Sequence, residues 1–484
     1  MELILKRMSE IYEIVPDPRS LEREKEFPGY YTHWCNFMQA FYHLAIQDGV
    51  VLVHGPQGCV GNVRSFLSTY VGQFFGHPFL YAPTTDLGPS DVILGAKDKL
   101  EQAIIEVDQV YKPKVICLTI TCAAAVTKEP VEEVVSSLQN RVKAKILIFN
   151  VPGIKNYAAG FNRVEIAGGF CKLLKPPEKK IPNSVNILGM AKEVHHPGKF
   201  LHDSHELERL LNKVGIRVNS VLLQSASIED FERASEAEFN TFNCPQWGYP
   251  LAKHMKDHYG IPCGTQANPL GVTSISRWLR EVGSFFKIEE KVEALIQEEF
   301  NAIKPLWDEA KDLVTGKIAL IDGGDPMSAV ERPVAWGKLC SDLGMRPILY
   351  NVPPIEIKGI PYEASIAFRN VGEDFEVVYS DYAYHRRLTP WKVIEALGLK
   401  FEDISLYLGD VFPEQKAEWN TPIFDASNSP RLVSTTHCTR NKNRPGRKVG
   451  FKGAEAFAKG VINAVKTSKR WDRPTVYARL GGLR

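Results

Sequence analysis

Residues 50–59 read Val-Val-Leu-Val-His-Gly-Pro-Gln-Gly-Cys, a β-branched run that ends in a glycine-rich turn and a cysteine. A second run of the same kind, residues 114–121, is followed directly by Cys122. Apolar runs without alternation are typical of strands that are buried on both faces of a parallel sheet. Amphipathic stretches at 91–110 and 129–138 come after these runs, which predicts strand–helix–strand units.

The same alternation continues along the chain and predicts an α/β protein of three doubly wound domains with parallel sheets. At roughly 150 residues per domain, 484 residues suit three domains. Boundaries at 183–185 and 315–316 divide the chain into 1–184, 185–315 and 316–484. Further strands are predicted at 145–151, 218–223, 317–322, 347–351 and 404–409, and further helices at 246–259 and 288–313.

Composition excludes several classes of protein. Lys and Arg number 59 against 57 Asp and Glu, so the chain lacks the basic excess of a nucleic-acid binder. No apolar run reaches about 18 residues, so no transmembrane helix is expected. Residues 1–23 are charged throughout and do not resemble a signal peptide. We therefore expect a cytoplasmic chain whose nine cysteines are thiols or metal ligands.

Common catalytic motifs are missing from the sequence. It contains no P-loop, so ATP hydrolysis is expected on a separate partner. It also contains no G-x-S-x-G, H-E-x-x-H or C-x-x-C pattern. The turn at 322–325 is only a weak dinucleotide-binding signal, because the third glycine of that motif is missing.

Three cysteines are the candidate metal ligands. Cys59 and Cys122 both follow predicted strands, where ligands of parallel sheets collect, and Cys35 precedes them in an apolar stretch. A lone cysteine is usually a small buried hydrophobe, which is the interpretation for Cys117 and Cys340. Zinc ligands usually come as close pairs, unlike these spacings of 24 and 63 residues. Iron–sulfur clusters use four thiolates, so three indicate a further ligand elsewhere or a cluster shared with another subunit.

Two more candidate ligands lie later in the chain. Cys244 directly precedes a predicted helix, and His437 lies in a loop. A single loop histidine is more often a surface residue, and the sequence alone does not join it to Cys244.

The motif at 54–59, the segment 84–100 and the three cysteines resemble the cluster-binding region of nitrogenase component 1, the molybdenum–iron protein family. In that family, three cysteines hold half of an 8Fe–7S P-cluster, and a homologous β subunit holds the other half. The resemblance thus implies that Cys35, Cys59 and Cys122 bind a shared P-cluster in an α2β2 complex. It also implies an ATP-dependent homodimeric iron protein with a 4Fe–4S cluster as electron donor.

The chain resembles the α-type subunit of this family. Its segment 243–262 is similar to the α-subunit segment whose cysteine, here Cys244, binds one end of the active-site cofactor. His437 falls where α subunits place the histidine at the other end, and Gly323 and Gly324 match glycines that approach the cofactor. The resemblance therefore implies a cofactor of the 8Fe–9S–C class, with its heterometal and organic ligand left open.

The cofactor pocket departs from that of dinitrogen reducers, which implies a different substrate. Tyr157 and Phe161 stand where those enzymes carry a glutamine and a histidine, and Leu67 stands near the place of an arginine. The lysine that holds homocitrate has no counterpart near Asp410, and His43 replaces a small aliphatic residue. The chain length, the retained Cys/His pair and the altered pocket resemble those of methylthio-alkane reductases, which cleave C–S bonds reductively. His43 and the hydroxyl of Tyr157 are the candidate proton donors.

Four alternatives stay open at this point. A dinitrogen-reducing nitrogenase would form ammonia, and a cofactor-assembly scaffold would bind a precursor without turnover. A tetrapyrrole reductase of the same superfamily would not need Cys244 with His437. A binding module without metal would purify colourless and free of iron.

Overall fold

The structure is a computed structural model, and it describes residues 4–7, 46–61, 82–150, 152, 168–189, 200–223, 226–266, 268–322, 331–350, 374–379, 390–400, 403–408 and 449–468. The strands are β1 (Ile4–Arg7), β2 (Gly49–His54), β3 (Val115–Ile120), β4 (Lys145–Phe149), β5 (Ser184–Leu188), β6 (Arg217–Val221), β7 (Phe239–Phe242), β8 (Ile318–Asp322), β9 (Arg346–Tyr350), β10 (Glu376–Tyr379) and β11 (Ile404–Leu408). The helices are α1 (Pro89–Leu94), α2 (Lys97–Tyr111), α3 (Cys122–Thr127), α4 (Val131–Leu138), α5 (Phe200–Lys213), α6 (Ile228–Glu232), α7 (Pro245–Tyr259), α8 (Gly271–Phe286), α9 (Glu289–Val314), α10 (Glu331–Asp342), α11 (Pro390–Ala396) and α12 (Gly450–Ser468). None of these described helices is both long enough and apolar enough to span a membrane.

The strands form three sheets. The first has the order β2–β3–β4 and the second the order β6–β5–β7, with parallel pairing throughout. The third has the order β1–β10–β9–β8–β11 and is parallel except at β1, which runs antiparallel to β10. The predicted α/β class with three parallel sheets is confirmed. The correction is that the third sheet is mixed, because its edge strand comes from residues 4–7.

The first sheet is covered on both faces, which explains its unbroken apolar runs. Every residue of β2 and β3 is buried. Val50 and Leu52 pack into a core with α2 and α4, whereas Val51 and Val53 point to the opposite core. Successive side chains of a strand alternate between its faces, so two apolar faces require a continuous apolar run.

Two further cores join neighbouring sheets. One contains Phe149 of β4 and Phe242 of β7, so the first and second sheets share it. The other contains Ile187 of β5 and Ile321 of β8, together with α8, α9 and α12, and lies between the second and third sheets. Asn183 directly precedes β5, and residues 315–316 connect α9 to β8. The division into 1–184, 185–315 and 316–484 stays a prediction.

The helix predicted at 91–110 is two helices. Gly95 ends α1 with φ of 89°, in a region that favours glycine. The backbone N–H of Ala96 then donates to the Glu129 carboxylate at 3.1 and 3.2 Å instead of continuing the helix. This break turns α1 away from α2 and toward α3, with which it packs.

A partly buried ion cluster links α5 to α9. The guanidinium of Arg209 donates to Glu206 at 2.8 and 2.9 Å and to Glu299 at 2.6 and 2.7 Å. Lys213 adds ion pairs to Glu298 and Glu299. Burial disfavours the charged form of Glu299, but the hydrogen bonds from Arg209 and Lys213 outweigh it and lower its pKa from 4.5 to about 2.

The first prediction concerns this cluster. Glu299→Gln should reduce the free energy of unfolding by about 2 kcal/mol at pH 7, because both cations lose a charged partner. A carboxyl with a lowered folded-state pKa stabilises above its unfolded pKa and loses this contribution as pH falls through the folded value. The difference between wild type and variant should therefore shrink from pH 4.5 toward pH 2 in urea denaturation. A pH-independent difference would contradict this account.

Candidate metallocluster site

Cys59 and Cys122 lie at the same edge of the first sheet. In the register of β2 and β3, His54 pairs with Ile120, so the two strands end side by side. Cys59 follows in a short helical turn at 57–61, and Cys122 is the first residue of α3. Both thiols are half-buried. The pKa of Cys59 is raised by burial and by the neighbouring Cys122, so the two sulfurs are close enough to interact.

Hydrogen bonds fix the turn that carries Cys59. The N–H of Gly55 donates to Thr85 Oγ1 at 3.0 Å, and Thr84 Oγ1 donates to the Gly55 carbonyl at 2.8 Å. From β3, Thr121 Oγ1 donates to the His54 carbonyl at 2.8 Å. Thr121, which follows β3 and directly precedes Cys122, therefore connects the ends of the two strands.

The two glycines of the turn have different roles. A Cβ on Gly55 would lie 2.2 Å from Thr121 Oγ1, so this glycine admits the neighbouring threonine. The space beside the Gly55 α-carbon is therefore filled by the Thr121 side chain. A Cβ on Gly58 would meet nothing within 4 Å among the described residues, so the side of the turn at Gly58 is open.

His54 is a buried polar residue that sequence reasoning did not single out. Its Nδ1 lies 3.0 Å from Thr85 Oγ1, and its buried Nε2 has no hydrogen-bond partner among the described residues. Burial lowers the pKa of the imidazole to about 4, against an opposing effect of the Glu129 charge. The ring is therefore neutral at pH 7. Its place as the first residue of the 54–59 motif was the available signal.

Cys244 lies on the second sheet, at a site of its own. It follows β7, caps the N-terminus of α7 and is 1% exposed. Its carbonyl approaches Gly189 so closely that a Cβ there would lie 2.0 Å from the carbonyl oxygen. Gly189 also has φ of 80°, so both space and backbone conformation require glycine at this position. The backbone thus holds Cys244 tightly against the end of β5.

Three other cysteines among the described residues belong to the hydrophobic cores. Cys117 and Cys340 are completely buried, and burial raises the pKa of both thiols. Cys171 is half-buried and contacts the Pro250 carbonyl at 3.6 Å, and burial raises its pKa to about 12. These thiols are poor metal ligands, because a ligating cysteine must lose its proton.

Several predicted site residues lie outside the described residues, so their roles stay predictions. They are Cys35, His43, Tyr157, Phe161, Gly323, Gly324 and His437. Within the described residues, no group of three or more His, Cys, Asp or Glu side chains is arranged to hold a metal ion. Cys59, Cys122 and Cys244 therefore do not form one three-ligand group in the described part of the chain.

The donor set suits the clusters that the sequence implies. Cys59 and Cys122 form a half-buried thiol pair at a sheet edge, which fits a cluster that a second subunit completes. Cys244 is a buried single thiol, which fits a terminal ligand of an enclosed cofactor. Metal coordination deprotonates thiols and would offset the repulsion between the two thiolates.

The second prediction compares the two glycines. Gly55→Ala should reduce stability by about 1–3 kcal/mol, because the new Cβ overlaps the Thr121 side chain. Gly58→Ala is the matched control and should unfold close to the wild-type temperature. Thermal denaturation of both variants would measure the difference. Equal melting temperatures would show that the Thr121 side chain moves aside without a loss of stability.

Comparisons with known proteins agree on one family. Residues 35–354 match the family described as Nitrogenase component 1 type Oxidoreductase. The nitrogenase iron-molybdenum cofactor biosynthesis protein NifE of Nostoc sp. is 28% identical over 310 residues, 61% of each chain. The nitrogenase molybdenum-iron protein alpha chain of Clostridium pasteurianum is 27% identical over 330 residues, 65% of this chain and 60% of that one. These matches thus span about three-fifths of the relatives' length.

A solved structure shares the fold. The structure titled "Nitrogenase Cp1 at pH 5" covers 90% of this chain, which covers 89% of it, with a TM-score of 0.65 at 20% identity. The family match extends over well more than half of the sequence and includes all three sheets in part. The chain therefore belongs to the nitrogenase component 1 type oxidoreductases.

Proposed function

We propose that this chain is the catalytic α-type subunit of a nitrogenase-like reductase that cleaves the C–S bond of methylthio-alkanes. Its family supports a nitrogenase-type oxidoreductase or scaffold subunit. The observation that carries the catalytic assignment is the buried Cys244 at the start of α7, because a thiol there can bind an enclosed cofactor. Each cleavage consumes two electrons and two protons, and yields methanethiol and a hydrocarbon.

The thiol pair supports a P-cluster. In this proposal, Cys59 and Cys122, together with Cys35, hold one half of an 8Fe–7S cluster, and a homologous β subunit holds the other. The half-exposed position of Cys59 and Cys122 suits a site at a subunit interface.

Cys244 and His437 are the proposed end ligands of the active-site cofactor, with Gly323 and Gly324 close to it. When bound, a cofactor of this class supplies low-potential electrons at a polynuclear iron centre. Cys244 holds its end from a rigid position between β5, β7 and α7. His43 and the Tyr157 hydroxyl would move protons to the departing carbon and sulfur.

The pocket residues favour a thioether. In this proposal, Tyr157, Phe161 and Leu67 would line the cofactor pocket, where burial of methyl and ethyl groups gains about 0.8 kcal/mol for each methylene. Phe161 has no titratable group, whereas an imidazole at its position could pass on a proton. This difference disfavours the repeated protonation that dinitrogen reduction requires.

An exposed apolar strip supports docking of an ATP-dependent homodimeric iron protein with a 4Fe–4S cluster. Ile93 and Leu94 at the end of α1 are 79% and 84% exposed, and Val126 of α3 is 65% exposed. The two helices pack against each other, and α3 begins at Cys122. Exposed apolar patches on soluble proteins mark interaction sites. Val126 lies one helical turn after Cys122, so a partner bound to this strip would lie near the proposed cluster.

A cofactor-assembly scaffold is the second candidate, since the NifE relatives are as similar as the nitrogenase alpha chains. Such a scaffold would bind a cofactor precursor but release no product. A dinitrogen-reducing nitrogenase would instead form ammonia with the same partner protein.

The third prediction tests the shared cluster. Cys35→Ala, Cys59→Ala and Cys122→Ala should each lower the iron content of the complex by roughly half, because a lost thiolate at an interface has no nearby substitute. Cys171→Ala is the control, since this half-buried thiol contacts the Pro250 carbonyl instead. Iron analysis of anaerobically purified complexes would measure the effect. Full iron in the three ligand variants would exclude the assignment.

The fourth prediction tests the substrate. With its partner iron protein, ATP and strict anaerobiosis, the complex should release methanethiol and a small hydrocarbon from ethyl methyl thioether. His43→Ala should slow this release roughly 100-fold, as expected for a lost general acid, while the iron content stays the same. Gas chromatography would follow both products. Ammonia from dinitrogen without any methanethiol would support a nitrogenase, and no product at all would support a scaffold.

A further inference from the structure

The start of α12 is held against the loop that precedes α8. The N–H of Gly450 donates to the Pro269 carbonyl at 2.9 Å, and Leu270 forms β-bridges with Val449 and Gly450. The first N–H groups of a helix have no partner within it, so these contacts satisfy an end that would otherwise be unpaired. In the sequence, His437 lies 12 residues before Val449.

The same loop is bonded to the base of Cys244. The N–H of Asn268 donates to the Asn243 carbonyl at 2.8 Å, and the N–H of Asn243 donates to the Leu188 carbonyl at 2.8 Å. Asn243 directly precedes Cys244. A continuous run of main-chain contacts therefore leads from the cysteine at the end of β7 to the first turn of α12.

Glu206 forms a further contact with the first turn of α12. Its side chain is completely buried, and its carboxylate accepts from the Lys452 N–H at 3.2 Å while it is paired with Arg209. A helix N-terminus stabilises a carboxylate, and Lys452 is in the first turn of α12. Gly450 leaves room for the contact: its φ is 71°, and a Cβ there would lie 2.7 Å from Glu206 Cγ.

We propose, on the basis of the function given above, that Glu206 is a positioning residue for the active-site cofactor. It fixes the first turn of α12 against Leu270, and so supports, through the loop at 268–270, the backbone that carries Cys244. Glu299 shares Arg209 with Glu206, but among the described residues its carboxylate accepts hydrogen bonds from Arg209 and Lys213 and not from α12. The chain thus supplies a matched control for the loss of a buried carboxylate.

The experiment compares Glu206→Gln with Glu299→Gln in the complete complex. Glu206→Gln should retain the cofactor two- to tenfold less well during gel filtration, which corresponds to the loss of one hydrogen bond, and should alter its electron paramagnetic resonance spectrum. The P-cluster spectrum should stay unchanged in both variants, and Glu299→Gln should match wild type in cofactor retention. Equal cofactor loss in both variants would overturn the proposal in favour of general destabilisation.

A second variant approaches the contact from α12 and keeps every charged side chain of the ion cluster. Gly450→Ala displaces the Glu206 carboxylate without removing a charge, so it should reproduce the cofactor defect of Glu206→Gln. Hydrogen exchange at residues 450–452 would report the tether independently of any cofactor. Faster exchange with normal cofactor retention would overturn the positioning role and leave the proposed function standing. A wild-type complex without cofactor would overturn both.

Discussion

Parallel pairing of β2 with β3 is the constraint on which the rest of the cluster edge depends. Its register makes the two strands end together, and Thr121 then bonds to the backbone of the neighbouring strand. Cys59 and Cys122 are 63 residues apart in the sequence and become neighbours through this pairing alone. Everything proposed for electron entry follows from two strand ends that meet on a sheet buried on both faces.

Most continuous apolar strands were predictable from the sequence, whereas β5 and β7 were not. β5 and β7 contain Asn186 and Asn240, which reduce strand propensity and interrupt the apolar run. In the folded chain, Asn186 donates to Asn240 Oδ1 at 2.9 Å and accepts from Asn219 at 3.1 Å. This amide ladder across three strands satisfies most of its buried polar groups from neighbours. Such compensation depends on tertiary contacts, so no local pattern reveals it.

In the candidate site, too, some features follow from the local sequence and others from contacts between distant residues. A cysteine after an apolar run could be placed at a sheet edge, because strand ends follow from local sequence. The reason for Gly55 lies in Thr121, which is 66 residues away, and the buried His54 depends on Thr85 and Glu129. The pairing of Glu206 with the first turn of α12 spans 246 residues. Contacts of this kind are set by packing and cannot be read from spacing.

The antiparallel edge strand β1 can pair with β10 only after the residues between them have been synthesised. Ile4 pairs with Tyr379, so β1 is synthesised well before the strand that pairs with it. Until then the backbone of β1 has no pairing partner. Without β1, strand β10 would expose an unpaired edge to other chains. A bulky fusion or a deletion at residues 4–7 would therefore leave the edge of β10 unpaired. The expected result is aggregation of nascent or newly released chains.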